Sequence, residues 1–306
     1  MEGRWEKTKP VDDPQRKSLK KLVWGVKWLL GKSRGGRNFG IYPDDTFLVS
    51  YPKSGNTWAR FLLANLIYPD EAMTFSNLES RIPDVYKVTQ NKLRRIPRPR
   101  ILKSHEYFDP RYKKVIYIVR DPRDVVISYY YFHLKKGIIP EGYPLDRYVT
   151  RFVAGDVDAY GSWRENIASW LGTRYGTESL LLLRYEDMLE ETTRQLAKMA
   201  AFLGIERSGE EISKAVSLSS ADRMRKLENN ETDIWVNTKK SRKDIPFVRK
   251  AISGQWKSAL GEAMIAEIER SWGGLMSLLG YSPVTNAGSA ASTSNLNAPD
   301  RFLLTL

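Results

Sequence analysis

Residues 45–68 pass from an apolar strand, through a turn of small polar residues, straight into an apolar helix. Asp45-Thr-Phe-Leu-Val-Ser50 reads as the strand and Trp58 to Tyr68 as the helical run. The turn between them, Tyr51-Pro-Lys-Ser-Gly-Asn-Thr57, leaves backbone N–H groups free at the helix N-terminus. Those groups and the helix dipole attract phosphate. Lys53 adds a cation, and Ser54 and Thr57 add hydroxyl donors. The segment is not a Walker A loop, in which the lysine follows the second glycine at the helix start. Here Lys53 precedes Gly55 and the turn is shorter, so the loop suits phosphate but not Mg-ATP held in the usual kinase manner. An ordinary strand-to-helix turn is the alternative.

The alternation recurs. Strands are expected near 46–51, 100–104, 114–119 and 179–184, with helices between them and further helices over 189–204 and 258–279. This pattern predicts an α/β fold: a single domain with a central parallel sheet flanked by helices and a P-loop-like strand–loop–helix. Ligands of such sheets bind at the carboxyl ends of the strands. Ile101-Leu-Lys-Ser-His-Glu106 brings Lys103 and His105 to one such end. The chain has only two histidines, and a neutral imidazole can accept a proton near pH 7. His105 is therefore the candidate base, while His133, in a Tyr/Phe-rich helix, reads as a packing residue. Val115 to Val119 form a run buried on both faces. Arg120 closes that strand, Pro122 suits a helix start, and Ser128 follows inside the helix, so Arg120 and Ser128 can converge on one phosphate. For Arg120-Asp121 and Arg123-Asp124 the alternative is a local ion pair that organises the turn.

Taken together, these blocks resemble the PAPS-dependent sulfotransferase family, in particular its soluble, cytosolic-type branch. The resemblance rests on Tyr51-Pro-Lys-Ser-Gly-Asn-Thr-Trp58, Leu102-Lys-Ser-His105, Ile118-Val-Arg-Asp-Pro-Arg-Asp-Val-Val-Ile-Ser128, Arg184-Tyr-Glu-Asp-Met188 and, more weakly, Phe247-Val-Arg-Lys-Ala-Ile-Ser-Gly-Gln-Trp-Lys257. It implies a sulfonate passed in line from 3′-phosphoadenosine 5′-phosphosulfate to a hydroxyl. It makes Lys53, Ser54, Gly55, Asn56, Thr57 and Trp58 the loop that binds the 5′-phosphosulfate, with Trp58 stacked on adenine. It assigns Arg120 and Ser128 to the 3′-phosphate, Tyr185 and Ser219 to the adenine region, and Arg249 and Lys250 to a basic pair closing over the 3′-phosphate. His105 matches the catalytic base, and Lys103 a lysine that neutralises the transferring sulfonate.

The chain also departs from the family pattern. Asn56 stands where many relatives have Thr, Ala251 replaces a Gly, and Gln255 replaces an Asp. Ala221 lacks the aromatic ring of a Thr-Ser-aromatic element. The Lys…Thr-Val…Glu dimer element of many relatives is absent after Trp256, so the resemblance carries no oligomeric state.

Composition fits. A chain of 306 residues that is 42% hydrophobic can build one substantial core. Its net charge of +13 suits polyanionic ligands, though nucleic acid and anionic membrane also attract such a charge. Zero cysteines exclude a disulfide scaffold, and no metal is expected. No run approaches the ~20 apolar residues of a spanning helix, and no signal-peptide pattern is seen, so a cytoplasmic enzyme is expected. The expected partner is a small-molecule hydroxyl or phenol acceptor rather than nucleic acid. Tyr129-Tyr-Tyr-Phe132 and Tyr107-Phe108 offer aromatic walls for it, and carbohydrate or peptide acceptors stay open.

Three parts are expected: 1–40, a basic segment whose residues 19–30 read as a short amphipathic helix able to rest on the domain or on a membrane surface; 41–283, the catalytic domain; and 284–306, a disordered tail. Two rival readings remain: a Mg²⁺-dependent nucleotide kinase, and a catalytically silent relative that binds nucleotide or polyanion.

Overall fold

A computed structural model of the chain describes residues 30, 35–235 and 237–286. Four strands, β1 (Thr46–Ser50), β2 (Ile101–Ser104), β3 (Lys114–Val119) and β4 (Leu180–Arg184), form one sheet in the order β2-β1-β3-β4. Every neighbouring pair is parallel, with Leu48 opposite both Lys103 and Ile116, and Tyr117 opposite Leu182. The four strands lie within a residue or two of where the sequence puts them.

Side chains alternate across this sheet, as the two-residue period of a strand requires. Phe47, Val49, Val115, Tyr117 and Val119 enter one apolar cluster, while Leu48, Ile116 and Ile118 enter another. The first cluster is covered by α4 (Pro122–Lys135), α5 (Leu145–Val153), α6 (Trp163–Arg174) and α12 (Glu262–Leu278); the second by α1 (Asn56–Ile67), α2 (Phe75–Arg81), α7 (Tyr185–Glu190), α8 (Thr192–Leu203), α9 (Gly209–Leu218) and α10 (Ala221–Glu231). Two short helices, α3 (Gln90–Arg94) and α11 (Trp256–Ala259), complete the described set.

The expected helix 189–204 is divided at Glu191, whose φ −124° and ψ 50° end α7 and open α8. The helix expected over 258–279 is likewise divided, because Gly261 adopts an extended conformation and starts α12. Apolar periodicity runs through both breaks and hides them. Val284 and Thr285 donate backbone N–H groups to the fully buried Glu269 carboxylate at 3.1 and 2.9 Å, so the first residues of the expected tail are tied to α12. Apart from Leu30, the amphipathic segment 19–30 lies outside the described residues, as do 287–306. No described helix is long and apolar enough to cross a membrane.

β1 is flanked by β2 on one side and β3 on the other, so the chain leaves it in opposite directions. That is the switch point at which open α/β sheets place their ligands. Lys53 follows β1, His105 follows β2, Arg120 follows β3 and Tyr185 follows β4.

Candidate active site

All four of these residues line one cavity of about 550 Å³. The loop after β1 shapes one end of it. Gly55 caps α1 at φ 93°, and a Cβ there would stand 2.5 Å from the Tyr185 ring, so only glycine lets loop and ring meet. Helix α1 has neither a side-chain cap nor an acidic residue in its first turn. Its first N–H groups are therefore not neutralised by a local carboxylate and remain suited to an anion.

Lys53 has φ 69°, and its Nζ lies 4.5 Å from the Phe132 ring centroid and 4.4 Å from that of Phe247. Burial, and the cations Arg120 and Arg249, push its ammonium down to about 7. Ser54 is fully buried and its Oγ has no hydrogen-bond partner, but it is not among the lining residues. Asn56 lines the cavity, yet its Nδ2 donates to the Leu48 carbonyl at 3.1 Å and to Ser50 Oγ at 3.2 Å. Its side chain fastens helix to strand, and what it offers a ligand is backbone. Thr57 and Trp58 line the wall; Trp58 Nε1 donates to the Ser219 carbonyl at 3.0 Å.

Arg120 is held by the loops around it. Nη1 donates to the Lys53 carbonyl and Nη2 to the Ile252 carbonyl, both at 3.2 Å, and the guanidinium lies over Tyr185 at 4.3 Å. Its Nε is buried without a partner. Trp163 Nε1 in turn donates to the Arg120 carbonyl, fixing the strand end. Ser128, Arg249 and Lys250 also line the cavity. Arg249 lies over Tyr131 at 4.7 Å. The segment carrying the basic pair is clamped by Glu228, which accepts from Phe247 N and Val248 N, and by Arg225, which donates to the carbonyls of Val248, Arg249 and Lys250. Ser219 lines the cavity, but its hydroxyl is spent on the Ala215 carbonyl and on Asn65 Nδ2.

The expected Arg123–Asp124 pair does not form. Arg123 pairs with Asp121 at 2.7 Å and with Glu269 at 2.6 Å. Asp124 lies 4.0 Å from Arg120 and accepts from Gly254 N and Trp256 N at 2.6 and 3.0 Å. Consecutive helix residues do not face each other, so each finds a partner on another element.

In the same cavity, His105 Nδ1 lies 2.6 Å from the Ser50 carbonyl. A carbonyl only accepts, so Nδ1 carries the proton and Nε2 keeps its lone pair. Burial, then the charge of Lys103, drives the imidazolium form well below the usual histidine value. The imidazole is thus neutral and oriented. Tyr86 OH accepts the His105 backbone N–H at 3.1 Å, and Tyr160 packs edge-on to the imidazole at 5.3 Å. Lys103 also lines the cavity, but its Nζ donates to Asp84 at 2.8 Å.

Tyr129 and Phe132, three residues apart on α4, line the cavity. Tyr130 turns to the Tyr143 carbonyl, and Tyr131 is 39% exposed. Tyr107 and Phe108, expected as walls, are not among the lining residues: Phe108 packs on Trp170 and Tyr107 against Gly161. His133 is a packing residue as expected, bonded through Nδ1 to Tyr148 OH at 2.9 Å; burial and nearby Lys53 and Arg151 bring it down to about 4. Sequence reasoning missed Asp84, Tyr86, Tyr160 and Phe247. They lie on segments whose approach to His105 and Lys53 no local pattern announces.

Lysines and arginines outnumber acids in this lining; among the described residues Asp84 is the only carboxylate in it. With the uncapped helix and the unpartnered Arg120 Nε, this fits a ligand carrying several phosphate-like charges. No group of three or more Asp, Glu, His or Cys among the described residues is arranged to hold a metal ion.

Known proteins agree with that chemistry. The family model described as "Sulfotransferase domain" matches residues 43–280. Rat sulfotransferase 1E1 is 31% identical over 252 residues, covering 76% of this chain and 84% of the relative. Guinea-pig (Cavia porcellus) 3-beta-hydroxysteroid sulfotransferase is 31% identical over 256 residues, covering 80% and 87%. Among solved structures, a retinol dehydratase bound to androsterone and the inactive cofactor PAP superposes with a TM-score of 0.66 at 18% identity, covering 81% of this chain and 84% of that one. Mouse sulfotransferase SULT7A1 complexed with PAP does so with a TM-score of 0.63 at 24% identity, covering 84% and 90%.

Proposed function

The chain belongs to the sulfotransferase family and is a PAPS-dependent sulfotransferase, and from that premise we propose that its acceptor is a phenol or lipophilic alcohol deprotonated by His105. The observation that carries this reading is the Nδ1–H bond to Ser50, which leaves Nε2 as the proton acceptor in a cavity walled by Tyr86, Tyr129, Phe132, Tyr160 and Phe247. Aromatic walls favour a flat apolar acceptor, in keeping with the hydroxysteroid named for the guinea-pig relative.

The donor supplies a sulfonate on a phosphate leaving group. Positioning and charge stabilisation then dominate, as in phosphoryl transfer. His105 Nε2 takes the acceptor proton as the new oxygen–sulfur bond forms. The bond from sulfur to the phosphate oxygen breaks, and its electron pair stays on that oxygen. Lys53, which follows β1 directly, offsets the charge gathered there, and Lys103 offsets charge on the equatorial sulfonate oxygens. Arg120, Ser128, Arg249 and Lys250 hold the 3′-phosphate, the loop from Ser54 to Trp58 holds the 5′ side, and Tyr185 and Ser219 border the adenine. The reading places the enzyme in the cytoplasm, working on diffusible acceptors.

The test is a transfer assay with labelled donor, in excess chelator, across phenols, steroid alcohols, sugars, peptides and amines. Labelled sulfate esters of phenols or alcohols are the expected product. Turnover confined to amines overturns the acceptor class, and turnover that requires Mg²⁺ overturns the transfer chemistry.

A further inference from the structure

Asp84 sits in the segment between α2 and α3, bound edge-on to the end of β2. Lys103 N donates to the Pro83 carbonyl at 2.8 Å and Val85 N to the Lys103 carbonyl at 3.2 Å, so Asp84 bridges Lys103 as a strand partner would. Its Oδ2 accepts from Lys103 Nζ at 2.8 Å, and its Oδ1 accepts from Tyr86 N at 3.0 Å. Its own N–H donates to Glu79 at 2.8 Å. Both side chains of the ion pair are buried, 8% exposed for Lys103 and 4% for Asp84.

A lone ammonium at this depth sheds its proton, because burial disfavours the charged form. The groups facing Lys103 are few. From the same segment come Asp84 and the Tyr86 ring, 5.3 Å away. From α1 comes Arg60, a like charge already bound to Glu79 at 3.1 Å and to the Ile82 carbonyl at 2.7 Å. From α2 comes Glu79, and from the end of β2 His105. Among the described residues, Asp84 is thus the one anion that touches the ammonium directly.

We propose that Asp84 is a positioning residue for the transfer: its carboxylate fixes the Lys103 ammonium beside His105 and keeps it charged. The proposal rests on the reading of Lys103 given under Proposed function. Burial would push the Asp84 carboxyl up, yet Lys103 and Arg60 hold it at about 2, so the carboxylate stays charged across the working range. Lys103 is lowered by burial and raised again by Asp84. The pair also bears on the base, since Lys103 lowers the His105 imidazolium and Asp84 raises it.

Asp84→Asn keeps the size of the side chain and an oxygen for Tyr86 N while removing the charge. Its decisive readout is the titration of Lys103, followed by NMR in protein carrying labelled lysine and assigned with Lys103→Met. Lys103 is expected to lose its proton at least about one pH unit lower in the variant. The alkaline limb of kcat/KM should move down with it, and kcat at pH 8 should fall about tenfold or more. Affinity for adenosine 3′,5′-bisphosphate should be unchanged. In the Lys103→Met background, adding Asp84→Asn should cost nothing further in kcat. This double variant buries neither charge and serves where the single variant folds poorly. Unmoved Lys103 titration, or the same kcat loss with and without Lys103, overturns the proposal. A failure of the functional reading looks different: the unmodified protein transfers no sulfonate, while the lysine titration still decides the role of Asp84.

Discussion

The donor and acceptor regions proposed for the cavity are built in different ways. In the proposed reading the donor region starts from strand ends, with Lys53 after β1, Arg120 after β3 and Tyr185 after β4, and is completed by Ser128 of α4 and by Ser219, Arg249 and Lys250. The acceptor region of the same reading draws on segments far apart in the chain. Asp84 and Tyr86 come from before β2, Tyr129 and Phe132 from α4, Tyr160 from the loop before α6, and Phe247 from the segment clamped by Glu228. Backbone and charge define the first region, aromatic shape the second. A phosphate needs N–H groups and cations, which a strand–turn–helix supplies locally. An apolar acceptor needs a wall, which only tertiary packing supplies.

The largest test of this contrast is His105→Ala. It should cost about 10²- to 10⁴-fold in kcat while leaving bisphosphate affinity intact, because the loss lies wholly at the acceptor end. Equal losses in both would erase the division. In the unmodified enzyme His105 stays neutral well below the ordinary histidine value, so if it is the proposed base kcat/KM should not fall between pH 7.5 and 6.5 through its protonation. A pH–rate profile checks this.

Arg120→Ala is the mirror experiment. Removing this cation from the proposed 3′-phosphate site should weaken bisphosphate binding by about 10²-fold, read by calorimetry, with the preference among acceptors unchanged.

Lys53 touches both regions, donor loop through its backbone and acceptor wall through Phe132 and Phe247. Its folded value of about 7 lies below the ordinary 10.5. The unfolded chain therefore holds the extra proton between those values, and stability from this group rises with pH from about 7 toward 10.5. An anionic donor favours the charged amine, so binding at pH 8 should take up close to one proton and binding at pH 6 almost none. Calorimetry in buffers of different ionisation enthalpy measures the difference, which Lys53→Gln should abolish.

The smallest effect concerns Ala251, which the structure holds at φ 54°. A non-glycine residue there carries strain, so Ala251→Gly should stabilise the protein by ~0.5–1 kcal/mol, seen in denaturant unfolding. The neighbouring Ile252 carbonyl accepts from Arg120, so the same change tests whether the strain serves the donor site.

The contrast also explains what could be read from the chain. The four strands and the residues at their ends were legible because apolar runs and turn chemistry are local. The partners that Arg123 and Asp124 take up were not, because Glu269, which accepts from Arg123, comes from α12, and the N–H groups that donate to Asp124 come from Gly254 and Trp256. Asn56 and Ser219 occupy the expected positions, but their side chains bond to the fold itself; residue type announces a hydrogen bond, not its recipient. Tyr107 and Phe108 were expected at the wall because aromatic composition cannot say which face a ring will take. Asp84 left no signal at all, since its meaning comes from the β-bridge to Lys103.

The central claim is that the ends of β1, β3 and β4 form a site for a 3′-phosphorylated adenine nucleotide. Calorimetric titration with adenosine 3′,5′-bisphosphate in chelator, against AMP and ATP, tests it most directly. The account predicts tight binding that depends on the 3′-phosphate and collapses in Arg120→Ala. Equal binding of AMP or ATP, or binding indifferent to Arg120, would contradict it.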